Sequence, residues 1–243
     1  MRNKLLLSLS AIAVVATSAP AIAQDSGDAA RLDEIIVTAQ RREENLQDVP
    51  VSVATLGGET LAVVSGAGAD IRALSGRVPS LNIESSFGRT FPRFYIRGLG
   101  NTDFDLNASQ PVSLVYDDVV LENPILKGFP VFDLDRVEVL RGPQGTLFGR
   151  NTPAGIVKFD TAKPTAKNNY LKASWGSFNT INAEGAVGGE LGEGLSARLS
   201  VLYQRRDDWV DNLDAPGEDN LEGFDDLAAR LQVQADLGDD FTL

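Results

Sequence analysis

The sequence of 243 residues contains no cysteine and no histidine. These absences exclude disulfide bonds, thiolate nucleophiles, imidazole bases and the commonest ligands of transition metals. Most familiar kinds of active site are thereby removed, and we expect no catalytic residue, metal site or cofactor. The rest of the composition, 43% hydrophobic and 23% charged, is that of a folded chain. The net charge of −12 argues against nucleic-acid binding.

Beyond its N-terminus the sequence has no apolar run long enough for a transmembrane helix, so any membrane crossing must use strands. The N-terminus consists of Arg2, Lys4, the apolar run Leu5–Val15 and the small-residue site Ala21–Ala23. This order is typical of a secretory signal peptide over residues 1–23, cleaved after its last alanine. An uncleaved anchor is disfavoured, because the run is shorter than the roughly 20 residues needed to span a bilayer.

Residues 24–44 are predicted to be a flexible leader that contains one short segment of high β-propensity. That segment consists of Glu34, Ile35, Ile36, Val37 and Thr38. Backbone pairing with the edge of another protein's sheet would suit it, and the alternative is an ordinary strand of the next domain. Because it follows so soon after the predicted cleavage site, we expect no additional signalling domain before it.

Residues 45–166 mix short strand and helix patterns with glycine-containing turns, which predicts a small α/β domain. The predicted strands cover 51–56, 94–97, 112–120, 136–140 and 155–161, and a short helix is predicted over 68–74.

Residues 167–243 show a different pattern, an alternation of apolar and polar side chains. It is strongest over 195–204 and 227–237, and weaker over 171–175 and 181–187. Strands of about 10 residues with one apolar face are typical of transmembrane β-barrels. A soluble β-sandwich alternates in the same way, but the signal peptide and the lack of cysteine favour a barrel.

The connections between these predicted strands suggest an orientation. Residues 188–194 form a tight connection, whereas residues 210–224 form a long acidic one, and barrels have short turns inside and long loops outside. Trp175 and Trp209 lie where an aromatic girdle is expected. The acidic side chains are better explained by a solvated loop than by a cation site, because their spacing is not that of an EF-hand. They are Asp211, Asp214, Glu218, Asp219, Glu222, Asp225 and Asp226.

The segment from Val137 to Gly155, VEVLRGPQGTLFGRNTPAG, resembles the signature of the plug domain of TonB-dependent outer-membrane receptors. Other similar pieces occur in the family's order at 33–42, 51–56, 94–99 and 115–119, so the resemblance covers residues 33–243. Two departures occur: Ala154 stands where many members have glycine, and residues 158–161 replace a strand that usually contains asparagine. These departures suggest that the last strand of the plug packs differently.

The resemblance implies an α/β plug domain followed by the N-terminal antiparallel strands of a transmembrane β-barrel that is incomplete in this chain. It also implies that TonB, the periplasmic energy-transducing protein, pairs with the segment from Glu34 to Thr38. Buried charges need partners, so we expect polar contacts between plug and barrel; the alternative is that the arginines are solvated turn residues. The residues expected to make these contacts are Arg97, Glu138, Arg141 and Arg150.

The implied function is the energised uptake of a scarce nutrient such as a ferric siderophore across the cell outer membrane, by a protein that is not an enzyme. Its implied partners are TonB, outer-membrane lipid and the small ligand, and the missing histidines disfavour haem. The residues expected on substrate-facing loops are Phe87, Arg89, Phe91, Asn101, Asp103, Phe104, Asn107 and Phe129.

Enzyme functions find little support in the motifs. The glycines of 142–149 lack the lysine and hydroxyl residue of a phosphate-binding loop, and those of 98–100 lack the third glycine of a dinucleotide site. Two other hypotheses remain open: a soluble periplasmic plug-like interaction module without transport activity, and a cell-surface adhesive or hydrolytic β-protein.

Overall fold

The computed structural model describes residues 35–65, 70–166, 168–213 and 221–236. The predicted signal peptide, Glu34 and much of the acidic connection lie outside these residues. The first nine strands of the described chain are β1 Ile36–Val37, β2 Glu44–Asn45, β3 Ser52–Gly57, β4 Leu81–Glu84, β5 Arg93–Ile96, β6 Val112–Tyr116, β7 Val119–Leu121, β8 Leu134–Arg141 and β9 Gly155–Thr161. The helices are α1 Gly58–Ser65, α2 Gly145–Phe148 and the 3₁₀ turns Ile71–Leu74 and Pro124–Lys127.

Five of these strands form a central sheet in the order β3-β8-β9-β6-β7. Strands β6 and β9 are parallel, and the other neighbours are antiparallel. Two smaller antiparallel pairs, β1 with β2 and β4 with β5, lie outside this sheet. These nine strands and their helices are called the plug below.

The two faces of the central sheet carry two separate apolar clusters, because successive side chains of a strand point to opposite faces. On one face, Val137 and Val139 pack with residues of α1 and the first 3₁₀ turn. On the other face, Leu140 and Ile156 pack with Val37 of the N-terminal segment and with other buried side chains. The N-terminal segment is therefore part of the packed plug.

A second large sheet follows the plug, and is called the wall below. Its strands are β10 Tyr170–Gly176, β11 Thr180–Gly192, β12 Leu195–Arg206 and β13 Phe224–Ala235, each antiparallel to the next. In β12 the side chains of Leu199 and Val201 are 45% and 38% exposed, whereas those of Arg198, Ser200 and Leu202 are buried. The predicted alternation is confirmed, and the polar face meets the plug. Among the described residues, β10 and β13 each pair on one side only, so the wall is an open sheet.

Most predicted strands are present, with differences at turns. The segment 112–120 is split into β6 and β7, because Asp117 and Asp118 adopt left-handed backbone conformations with φ of 44° and 67°. Of the helix predicted over 68–74, the described residues show only the 3₁₀ turn. Helices α1 and α2 and strand β4 were not predicted. None of the described helices is long and apolar enough to cross a membrane.

Candidate functional site

The wall gives the molecule two ends. Strands β12 and β13 are joined by the long acidic connection at what we call the outer end, and β11 and β12 by a tight turn at the inner end. The guanidinium of Arg89 lies 2.9 Å from a carboxylate oxygen of Asp226, which places the plug loop 85–92 at the outer end. At the inner end, Nε2 of Gln232 donates to Oγ1 of Thr161, the last residue of β9, at 2.8 Å.

Three of the predicted substrate-facing side chains meet at the outer end. The ring of Phe87 makes edge contacts with the rings of Phe91 and Phe104, at centroid distances of 6.1 and 5.8 Å. Phe87 and Phe104 are 57% and 53% exposed, whereas Phe91 is buried. The guanidinium of Arg93 lies 4.9 Å from the centroid of the Phe104 ring. The sequence prediction therefore identified a group of aromatic residues that the fold brings together.

The remaining residues predicted for these loops have structural partners. Arg89 reaches the wall, where its guanidinium lies 3.9 Å from the centroid of the Phe224 ring. Oδ1 of Asn101 accepts a hydrogen bond from the backbone N–H of Asp103, and the N–H of Asn107 is held in the same way by the carboxylate two residues before it.

Phe129 does not join the outer loops. Its ring packs 4.9 Å from that of Tyr116 and 5.1 Å from that of Phe159, measured between centroids. It packs against the larger apolar cluster. Its expected place on a substrate-facing loop is therefore corrected to the edge of the plug core, since an aromatic ring gains more from burial between two others than from exposure.

Among the described plug residues, Asp133, which was not predicted, makes the most hydrogen bonds to the wall. Its carboxylate accepts hydrogen bonds from Nε and Nη2 of Arg198 at 2.9 and 2.6 Å, and from the hydroxyl of Ser200. The guanidinium of Arg230 adds an ion pair at 3.2 Å, and Oε1 of Glu184 accepts from the backbone N–H of Asp133 at 3.1 Å. Strands β11, β12 and β13 thus converge on one residue of the plug.

The environment of Asp133 favours its charged form. Burial opposes ionisation, but the hydrogen bonds from Arg198 and Ser200 and the positive charges of Arg198 and Arg230 outweigh it, so its pKa lies below the ordinary value. Asp133 also has a left-handed backbone conformation, with φ of 47°, which aspartate tolerates better than most residues. We call Asp133 and its wall partners the anchor.

None of the four residues expected to make plug–barrel contacts does so among the described residues: Arg141, Arg150 and Glu138 have partners within the plug, and Arg97 is solvent-exposed. Nη2 of Arg141 donates to the carbonyl of Val53 within the plug at 3.3 Å. Arg150 is exposed and pairs with Glu122 of the plug at 3.0 Å. The side chain of Arg97 is exposed and has no hydrogen bond or ion pair within the described part of the chain.

Glu138, the fourth of these residues, faces the N-terminal segment instead of the wall. It is fully buried, and its Oε1 accepts a hydrogen bond from the backbone N–H of Thr38 at 2.7 Å. Burial raises the pKa of Glu138, although the N–H of Thr38 and the charges of Lys158 and Arg136 work in the opposite direction. In the described strands, the plug is therefore joined to the wall by the anchor and not by the four predicted residues. Contacts of these residues with any further strands stay a prediction.

The segment predicted to pair with TonB lies on the plug, held along both sides. Strand β1 pairs with β2, and the carbonyl of Ile35 accepts from the backbone N–H of Leu46 at 2.8 Å. On the other side, the carbonyl of Ile36 accepts from Nη1 of Arg136 at 2.9 Å. Val37 is fully buried, while Ile35 is 48% exposed. In this conformation, the segment is therefore a strand of the plug, as the alternative prediction stated.

A charged cluster holds the end of that segment. The hydroxyl of Thr38 donates to Asp160 at 3.1 Å and accepts from Nζ of Lys158 at 2.7 Å. Thr38 also borders a cleft of about 940 Å³ between the inner end of the plug and the wall, together with Lys163 and Gln234. The segment is thus connected directly to β8 and β9, next to an opening beside the wall.

One further buried charge was not predicted. Lys127, in the second 3₁₀ turn, is 1% exposed, and its ammonium group donates to the carbonyl of Val112 at 3.3 Å. Burial lowers its pKa to about 8, a shift that the charge of Glu122 only partly opposes. In the sequence only the lysine between two apolar stretches, ILKGF, hinted at this position.

Comparison with known proteins identifies the architecture. Residues 45–156 match the model of the TonB-dependent Receptor Plug Domain. The chain belongs to the TonB-dependent receptor family. This placement confirms the resemblance seen in the signature around Arg141, and the plug followed by antiparallel wall strands confirms the expected fold class.

Among its relatives, the pesticin receptor of Yersinia enterocolitica is 29% identical over 147 residues, which are 60% of this chain and 21% of the relative. The ferric aerobactin receptor of Klebsiella pneumoniae is 26% identical over 229 residues, 88% of this chain and 29% of the relative. This TonB-dependent receptor chain therefore spans less than a third of the length of these relatives. Both are named as receptors, and neither name describes an enzyme.

Solved structures agree on the fold. The ferric yersiniabactin uptake receptor FyuA from Yersinia pestis aligns with a TM-score of 0.68 at 25% identity, covering 76% of this chain and 29% of FyuA. A ferric pyoverdine complex of FpvA from Pseudomonas aeruginosa aligns with the same TM-score at 19% identity, covering 85% and 26%. At that identity the second likeness shows the fold alone.

Proposed function

We propose that this chain is the N-terminal part of a TonB-dependent outer-membrane receptor that takes up a scarce nutrient, such as a ferric siderophore, using energy delivered by TonB. The observation that carries this proposal is the separation of two features by the anchored plug. Exposed aromatic side chains lie at the outer end, and the segment from Ile35 to Thr38 borders the cleft at the inner end. A ligand site and an energy-coupling site on opposite sides of a plug suit transport through it.

The TonB contact requires the segment to leave the plug first. Strand addition needs a free backbone edge, and both sides of β1 are occupied in this conformation, by β2 and by Arg136. Pulling on the segment withdraws the N–H of Thr38 from Glu138 and its hydroxyl from Lys158. Those buried charges then lose partners, which destabilises β8 and β9 beside the cleft. In this way force applied at the N-terminus opens the inner end of the plug.

A location in the outer membrane is supported by the outer face of the wall. Its apolar side chains are strongly exposed, among them Leu171 at 84%, Trp175 at 78%, Leu227 at 75% and Leu231 at 69%. Lipid contact on this face explains the exposure, whereas a soluble interaction module would place it in water. Fractionation of cells that express the receptor tests this point: recovery in the soluble periplasm would support the module instead.

The TonB contact is tested by Ile36→Pro in a full-length receptor that contains this segment, with Ile36→Val as the matched control. Proline removes the backbone N–H needed for pairing, so we expect uptake of radiolabelled ferric chelates to fall to the level of cells without TonB. Valine keeps the backbone donor and should preserve uptake.

A readout that needs no ligand is available because the chain has no native cysteine. Ile35→Cys should form a disulfide with a cysteine placed in the receptor-binding strand of TonB. Normal uptake by the proline variant, together with no such cross-link, would refute the contact.

A further inference from the structure

The outer loops present an aromatic surface that the rest of the described chain leaves uncovered. We call the side chains of Phe87, Phe91 and Phe104 the aromatic patch. Two of its rings, those of Phe87 and Phe104, are more than half exposed. Each exposed ring already makes an edge contact with its neighbour, so the cluster is preformed. Preformed apolar surface on loops is typical of a binding surface.

The cations next to the patch are already neutralised. The guanidinium of Arg93 is buried, lies 3.2 Å from a carboxylate oxygen of Glu84 and donates to the hydroxyl of Ser86 at 2.8 Å. Arg89 is paired with Asp226. Among the described residues, Arg89 and Arg93 thus each have a carboxylate partner. The patch therefore offers an anionic ligand little attraction.

Negative charge is in excess at the same end. Asp103 and Asp105, on either side of Phe104, are exposed; the carboxylate of each accepts a backbone N–H of its own loop, and neither forms an ion pair within the described residues. Between β12 and β13, the described residues 207–213 and 221–223 contain the acidic residues Asp207, Asp208, Asp211 and Glu222 and no lysine or arginine. Like charges repel an approaching ligand and slow its encounter with the surface.

We propose that the aromatic patch selects ligands that present aromatic rings and carry no net negative charge. Within the proposed function, on which this inference rests, the substrate class is then an uncharged or cationic aromatic metal chelate, and a polyanionic ferric tricatecholate is disfavoured. Ring contacts supply the attraction, because aromatic pairs gain beyond their buried area. The unpaired carboxylates supply the discrimination against anions.

The test uses two ferric complexes on one tripodal scaffold. With three hydroxypyridinone arms the complex is aromatic and uncharged, and with three catecholate arms it has the same shape and is triply negative. Binding of each to the detergent-purified full-length receptor is measured by titration calorimetry at low and high salt. We expect the uncharged complex to bind roughly tenfold more tightly at low salt, and the difference to shrink at high salt as charges are screened.

Variants separate the two contributions. Phe87→Ala and Phe104→Ala should each weaken the uncharged complex roughly fivefold. The double change Asp103→Asn and Asp105→Asn should strengthen only the anionic complex. Val119→Ala, which truncates an exposed apolar side chain at the inner end, should change neither affinity.

Equal or tighter binding of the anionic complex would overturn the proposal, as would binding unaffected by the phenylalanine variants. Failure of both complexes to bind would overturn it as well. None of these results affects the TonB contact, because the cross-link from Ile35→Cys is measured without ligand. A positive cross-link with a negative titration would retain the receptor function and reject this substrate class.

Discussion

The anchor predicts that Asp133 and Arg198 are strongly coupled, and that substitution of Asp133 costs more stability than substitution of Arg198. The side chains of both residues are almost fully buried, with 2% and 0% exposure, and they share two hydrogen bonds of 2.9 and 2.6 Å. Removing one partner of a buried ion pair costs about 3–5 kcal/mol, because the other charge stays buried. We expect Asp133→Asn to cost about 4 kcal/mol, since it deprives both Arg198 and Arg230 of their shared carboxylate.

Substitution of the other partner, Arg198, should cost less stability. After Arg198→Gln, the carboxylate of Asp133 keeps the hydroxyl of Ser200 and the guanidinium of Arg230. We therefore expect a loss of about 2 kcal/mol for Arg198→Gln, and a coupling energy of roughly 2 kcal/mol in the double-mutant cycle. Asp133→Asn should be the more costly variant because it leaves two guanidiniums without their carboxylate, whereas Arg198→Gln leaves one carboxylate that keeps two partners.

Hydrogen exchange of β8 in the full-length receptor measures this coupling, because loss of the anchor should lower the free energy of local opening just after Asp133. The matched control is the pair formed by Arg150 and Glu122, which has the same chemistry but is exposed, and it should show no measurable coupling. If both pairs gave the same small coupling, or if Arg198→Gln cost more than Asp133→Asn, the reasoning would be refuted.

Three other predictions address the plug. Lys127→Met should stabilise the plug by about 2 kcal/mol at neutral pH, because it removes a buried charge. This gain should shrink as the pH rises from about 8, where the lysine of the parent protein loses its proton, and denaturant unfolding at several pH values tests it. Gly155→Ala should destabilise the plug by about 3 kcal/mol, since the new Cβ would lie 2.1 Å from the carbonyl oxygen of Leu140 and the backbone φ is 144°. As the control, Gly192→Ala places a Cβ with no heavy atom within 4 Å and should be neutral in the same assay. Because folding lowers the pKa of Asp133, its ionised carboxylate contributes fully to stability above the ordinary aspartate pKa, and this contribution is lost only as the pH falls through the lowered pKa of the folded state. Protection of β8 from hydrogen exchange should therefore persist at mildly acidic pH.

The wall could be predicted from sequence because its alternation is local. The alternation predicts that the polar side chains at even positions of β12 face the plug, and Ser196, Arg198, Ser200 and Gln204 are buried there, whereas Leu199 and Val201 lie on the outer face. Strand β9 has the bounds expected for it. Helix α1 was not predicted because its eight residues include β-branched side chains at a place where glycines follow, and no apolar stripe of helical period is present.

The contacts of the site were harder to predict, because they depend on residues distant in sequence. The signature around Arg141 suggested that its arginines meet the wall, but the wall instead contributes arginines of its own to a plug carboxylate. A charged residue on the polar face of a wall strand, such as Arg198, was the only local signal. The docked state of Val37 could not be read from a short apolar run, because such a run suits a free strand and a packed one equally well.

The position of the anchor along the chain has a consequence for assembly. Within the described part of the chain, every group that joins Asp133 to the wall comes from the next 97 residues, ending at Arg230. The plug can therefore be fastened to the first wall strands by contacts that are complete once β13 has formed, at the modest entropic cost of closing a loop of this length. Any wall strand added after β13 would then join a plug that is already attached, and a folded plug would not have to be threaded into a closed sheet.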